Sequence, residues 1–475
     1  MLAVQTMTHA ASLTHEEIHG AEAVEVPVVH LSISKILSGT VTVPDLPHLE
    51  ATGQYKLLIT SLCTFVRDDK RIFTDPWVKS WCAKRWRNFF IVEAAKDPRS
   101  VTWATYGNWI QNAVGFGDTR CPEQKVAERF LKGTGPEEWI WAVQGEENIW
   151  SEQAMSLRGG VAPLPPVQMP ESVAKETGCM FCPGLLNGLV PVRAFDEGFP
   201  ALERDHNLSI LRVDAHPLRG CHDNMADYIN AFKHGIGLSA SCAPHISPEH
   251  ASLKKFCISY SKGTPDLLTF LTQHPSYAES ITSLFVWAGA VYGSYIADSA
   301  ASLVTKLPVD HSMGALIRAV DLLCPVVDLR RIGPLSRIND IRATDAVKSL
   351  MTAERTQFMK EHGEKFTSKG GWDKPIFCVT GSTVPEDVPY FQAPAARQLR
   401  MYDNNNDMQL TTRQSLVESD MAIHLGIVNA NHWDMSFSEF PMMLKVGSSK
   451  FKHPFPKTAA VTAMFYLVAE LGLCD

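Results

Sequence analysis

The sequence predicts an α/β protein built on a mostly parallel central sheet, and three observations carry that expectation. From about residue 175 onward, short apolar runs alternate with stretches of helical spacing, the pattern of strands joined by crossover helices. Some of these runs, such as ITSLFVWAGAV from Ile281, are continuous rather than alternating, as strands covered on both faces are. KKFCISY, from Lys254, passes directly into SKGTPDLLTFLTQH, so a strand and a helix must meet there at a tight turn.

The elements follow in order. Residues 1–157 read as a mainly helical, tryptophan-rich region, with eight of the eleven tryptophans between Trp77 and Trp150. YKLLITSLCTFV, from Tyr55, is the one strand-like run in it. These tryptophans read as packing anchors between helices, with a sugar or lipid surface as the other reading. Residues 158–174, including RGGVAPLPPVQMPESV, are rich in proline and glycine and mark a linker. A third segment, 175–475, then holds the sheet. CMFCPGLLNG gives a strand and a glycine turn, AFDEGFPALERDH a helix, LSILRVDA a strand and HDNMADYINAFKHGI a helix. KKFCISY and ITSLFVWAGAV are the next strands. The tract at about 298–372 is too long for a simple crossover and is expected to cap one end of the sheet. KPIFCVTGS and DMAIHLGIVNA are the last strands, and KTAAVTAMFYLVAELGL closes the chain as an amphipathic helix.

Composition excludes several classes. A formal net charge of −7 gives no electrostatic case for nucleic acid. The run from Ile281 to Ala297 is short for a bilayer and broken by glycines, so no transmembrane segment is expected. The first twenty residues lack a basic stretch followed by an apolar block, so no signal peptide is expected. Eleven scattered cysteines fit free thiols in a reducing, cytoplasmic setting. Cys179 and Cys182 form a lone C-x-x-C, which reads as two small core residues. His216, His222 and Asp223 lack a compact third ligand, so neither metal nor other cofactor is expected. Oligomeric state is left open.

Chemistry concentrates at SYSKG. A serine at the carboxyl end of a parallel strand can act as a nucleophile if a sharp turn lifts its hydroxyl clear of the sheet. Such a turn needs small residues two positions either side, and Ser259 and Gly263 bracket Ser261. Pro265 and Asp266 suit the first turn of the following helix. The rival reading is a serine that caps an ordinary helix.

Three stretches in order resemble the α/β-hydrolase family, in particular its lipase and esterase branch. FCPGLLNG is similar to the family's first oxyanion loop, SYSKGTPD to its nucleophile elbow, and DNNNDMQL with NANHW to its late acid and histidine. The resemblance covers about residues 175–475 and implies an α/β-hydrolase fold with a helical cap. It implies Ser261 as nucleophile, His432 as general base and Asp407 as the acid that orients the imidazole. An imidazole takes a serine proton near neutral pH, which a carboxylate or a lysine does not readily do. The oxyanion donors it implies are the backbone N–H groups of Lys262 and Leu185.

Asp403 and Asp298 are rival acids, and His424 reads as a core histidine. Pro183 stands where the family usually has histidine, which alters the bracing of that loop. The Lys262 ammonium is open to two uses: attracting an anionic substrate group, or pairing with an acidic neighbour on the cap. The implied activity is cleavage of a carboxylic ester, from a small-molecule or lipid-like substrate, through an acyl-enzyme. The alternatives are a non-catalytic scaffold of the same fold and acyl transfer by the same residues.

Overall fold

The computed structural model describes residues 45–106, 120–133, 176–306, 340–439 and 454–474, apart from 186, 189, 191, 390 and 391. The linker at 158–174, four of the tryptophans and residues 307–339 of the expected cap lie outside the described residues.

Helices α1 (Asp45–Ala51), α2 (Tyr55–Asp68), α3 (Pro76–Ala95), α4 (Pro98–Tyr106) and α5 (Pro122–Phe130) come first. The short strand β1 (Leu131–Lys132) follows. The run from Tyr55, expected as a strand, is therefore a helix. Its buried residues Tyr55, Leu58, Ser61, Leu62 and Val66 recur every three or four positions and form one helical stripe. The β-branched residues between them lie off that stripe and imitate a strand. Helix α3 begins on a clear start signal. The Asp75 side chain accepts from the N–H groups of Trp77 and Val78, and Pro76 occupies the first turn, where no amide hydrogen is needed.

Among the described residues the sheet has nine strands. The further strands are β2 (Thr177–Cys182), β3 (Ser209–Arg212), β4 (Ile236–Leu238), β5 (Pro244–Ile246), β6 (Lys254–Tyr260), β7 (Ile281–Trp287), β8 (Ile376–Gly381) and β9 (Ala422–Val428). Their order is β1-β9-β8-β7-β6-β2-β3-β4-β5. Strands β3, β2, β6, β7, β8 and β9 run parallel, and β1, β4 and β5 add antiparallel edges. This is the expected α/β architecture. Strands β2, β7 and β8 are buried along their whole length. The run from Ile281 is thus a central strand, and among the described residues no helix is long and apolar enough to cross a membrane. The β4–β5 hairpin was not foreseen, because two three-residue strands carry no periodicity to read.

Among the connecting helices are α6 (Gly198–His206), α7 (Met225–His234), α8 (Gly263–Gln273), α9 (Tyr295–Lys306), α10 (Thr352–His362) and α11 (Lys457–Glu470). Helix α11 is not amphipathic in its surroundings. Nearly every residue from Lys457 to Ala469 is buried, because α3 and α6 pack against it. Helix α3 also lies on β9, and Trp81 and Trp86 are buried in the core, with Trp77 and Trp103 partly buried against it. Trp86 stacks on Phe90 and meets Trp287 of β7 edge-on. The ten described cysteines are all free, and burial holds the Cys179 and Cys182 thiols well above their usual range.

Candidate functional site

Because six strands run parallel, their carboxyl ends meet along one rim, and the sequence-derived candidates follow four of them, β2, β6, β8 and β9. Strand β6 ends at Tyr260, and Ser261 follows in the left-handed region with φ of 53°. A non-glycine residue there is strained, and its surroundings hold it. The Ser261 carbonyl accepts from the N–H groups of Thr264 and Ala290 at 3.1 Å each.

Small flanking residues are required for steric reasons. A Cβ on Gly263 would stand 2.1 Å from the Cys182 carbonyl oxygen, so β2 and α8 can approach this closely only across a glycine. On the other side, the Ser259 hydroxyl is buried and donates to the Phe285 carbonyl at 3.1 Å, with Thr264 Oγ1 2.9 Å away. Serine therefore serves in place of glycine at this position. Helix α8 begins immediately afterwards, which answers why no loop separates strand from helix.

The loop after β2 lies against the elbow. A Cβ on Gly184 would be 2.9 Å from the Ser261 Cβ, and Leu185 is the next residue. The Gly184 carbonyl accepts from Asn187 N–H at 3.2 Å, which closes the turn.

Asp407 and His432 come together. Imidazole Nδ1 is 2.7 Å from Asp407 Oδ2, and the two side chains are 2% and 1% exposed. Asp407 Oδ1 accepts from the N–H groups of Gln409 and Leu410, at 2.9 and 2.7 Å. The carboxylate is thereby fixed in rotation, with one oxygen committed to the backbone and the other to the imidazole. The Asp407 carbonyl also accepts from His432 N–H at 2.8 Å. Gly381, at the end of β8, makes room for this loop, since a Cβ there would lie 2.8 Å from the Asp407 Cβ. With Nδ1–H directed at the carboxylate, Nε2 is the imidazole's basic nitrogen. It is buried and, among the described residues, has no hydrogen-bond partner.

Tyr260 joins the two halves. Its ring stacks on the His432 imidazole with centroids 5.0 Å apart, and its hydroxyl donates to the His432 carbonyl at 2.8 Å. Burial raises the phenol far above its ordinary pKa, so it stays a donor. Nothing in the sequence marked Tyr260 beyond its place beside the elbow.

The rival residues have other duties. Asp403 accepts from Asn405 N–H within its own turn. Both oxygens of Asp298 accept from Thr352, one from the N–H and one from the hydroxyl. His424 is not a core residue: it sits on the exposed face of β9, with Nε2 3.3 Å from Thr380 Oγ1. His216 Nδ1 accepts from Leu218 N–H, and His222 Nδ1 is 2.6 Å from the Gln273 amide. Among the described residues no cluster of His, Cys, Asp and Glu could hold a metal.

Lys262 departs from both of its expected uses. Its ammonium lies 2.8 Å from each oxygen of Asp266, one turn along its own helix, and both side chains are buried. Asp266 is a partner on α8 rather than on the cap, and the charge is directed away from solvent.

No family model matches the chain, and no curated protein matches it. Solved structures with a similar fold are carboxyl esterases and lipases. A metagenomic carboxyl esterase is 21% identical, with a TM-score of 0.47 over 65% of this chain and 80% of that one. The mature lipase of Bacillus licheniformis is 16% identical, with a TM-score of 0.39 over 57% of this chain and 89% of that one. Lipase 1 of Pelosinus fermentans is 12% identical, with a TM-score of 0.40 over 60% of this chain and 98% of that one. At these values the likenesses assign no role to any residue of this chain.

Proposed function

We propose that the protein is a serine hydrolase that cleaves a carboxylic ester, of a small-molecule or lipid-like substrate, through an acyl-enzyme. Ser261 Oγ attacks the ester carbonyl while His432 Nε2 takes the hydroxyl proton. Asp407 holds the imidazole in the required tautomer and stabilises its cationic form. The oxyanion is received by the N–H groups of Lys262 and Leu185, each worth about 3 kcal/mol to the transition state in comparable sites. His432 then protonates the departing alkoxide, and water activated by the same imidazole releases the acid.

The observation that carries this reading is the His432–Asp407 pair at 2.7 Å, with Nε2 buried and unpartnered. The left-handed Ser261 at the end of β6 supplies the second half. The test is Ser261→Ala with a short p-nitrophenyl ester. Turnover should fall almost completely, since triad members act as a unit and only the residual contribution of the oxyanion donors remains. Full retention would remove Ser261 from the reaction.

A further inference from the structure

The buried charge behind the elbow has no place in that chemistry. Lys262 and Asp266 are 1% and 2% exposed at the side chain and bonded to each other at 2.8 Å. Burying such a pair is seldom more stabilising than an apolar pair of equal volume, so stability alone does not explain it.

Its connections point to position. Asp266 Oδ2 also accepts from Asn224 Nδ2 at 2.9 Å, and Asn224 Nδ2 lies 3.3 Å from the His216 carbonyl. The loop after β3 is thus tied to the first turn of α8. From α10, Arg355 is buried and faces Asp266 electrostatically, while its Nε donates to the Val291 carbonyl at 3.3 Å. Val291 follows Ala290, whose N–H donates to the Ser261 carbonyl. The pair therefore stands at the centre of a ring of contacts around the peptide joining Ser261 to Lys262. With Ser261 at a φ of 53°, that peptide's orientation needs restraint from both sides.

We infer that the Lys262–Asp266 pair is a positioning device, which clamps Lys262 across one helical turn so that its backbone N–H points at the oxyanion. The inference rests on the reading of Ser261 as nucleophile. Neither side chain touches substrate; both act through the Lys262 amide.

The deciding variant is Lys262→Met with Asp266→Asn, which removes both charges together and keeps an acceptor for Asn224. It should fold with a nearly unchanged melting temperature. Its kcat should fall about 10- to 100-fold with KM nearly unchanged, the mark of an interaction made only in the transition state. Affinity for a trifluoromethyl ketone, which forms a tetrahedral oxyanion on the serine, should fall by the same factor. Affinity for the matching unreactive amide should not. Lys262→Arg, which keeps the pair, should retain most activity. A folded double variant with unchanged kcat and unchanged trifluoromethyl ketone affinity overturns the inference. So does a double variant that cannot fold, because the pair would then be structural. Ser261→Ala is read first: if it keeps full activity, the nucleophile reading fails and takes this inference with it. Loss there, with no effect of the double variant, sinks the inference alone.

Discussion

Tyr260 and His432 are bound twice, ring against ring at 5.0 Å and hydroxyl to carbonyl at 2.8 Å. The residue before the nucleophile candidate therefore carries the histidine candidate. Tyr260→Phe keeps the stack and removes the hydrogen bond, leaving a buried carbonyl unpaired. Stability should drop by about 1 kcal/mol and kcat by about fivefold, read by denaturant titration and steady-state kinetics. An unchanged kcat would show that the histidine is held by other contacts.

Asp407→Asn tests the acid through its geometry. Asn can still accept from Gln409 and Leu410 N–H, but its amide then turns an N–H toward His432 Nδ1 in place of an acceptor. The imidazole proton is driven onto Nε2, which is then unable to take the Ser261 proton. kcat should fall about 10³–10⁴-fold, while the melting temperature changes little. Asp403→Asn should leave kcat near wild type, because Asp403 serves its own turn.

Gly263→Ala tests the packing reason for the elbow. The added Cβ would sit 2.1 Å from the Cys182 carbonyl oxygen, and neither backbone can yield without moving β2 or α8. A loss of about 3 kcal/mol or more is expected, with loss of activity. Gly363→Ala is the control, since its Cβ would meet nothing closer than the Met359 side chain at 3.4 Å.

His250 gives a pH prediction remote from the site. It is buried, its Nδ1 pairs with the Ser209 hydroxyl at 2.8 Å, and burial lowers its pKa to about 3. The unfolded chain binds this proton near the ordinary histidine value of about 6.5. Between those limits the unfolded state holds more protons, so stability is complete above about 6.5 and declines as the pH falls toward 3. The slope contributed is at most about 1.4 kcal/mol per pH unit. His250→Gln should flatten the acid limb of a stability–pH curve; an identical limb would exclude His250 as its source.

The legible parts of this protein are those where a local rule and the fold agree. Strand β6 and the start of α8 were readable because a largely apolar run stops at a serine with small residues around it. Ser261, Asp407 and His432 were readable as candidates by chain order and by resemblance. Tyr260, Gly184 and Gly381 were not, because their importance lies in contacts between distant segments: a stack on residue 432, an approach to residue 261, room for residue 407. Asp266 was read as a helix-end acid, since sequence cannot tell a solvated carboxylate from one paired in the core. Helix α2 misled because its β-branched residues fall between the buried positions. Helix α11 misled because burial on all sides depends on α3, more than 350 residues earlier.

The most direct measurement is labelling of the folded protein with a fluorophosphonate, followed by peptide mapping. The predicted result is a single adduct on Ser261, absent from Ser261→Ala and much slower to form in His432→Ala. Folded protein that takes no label, or takes it on another residue, would contradict the central claim.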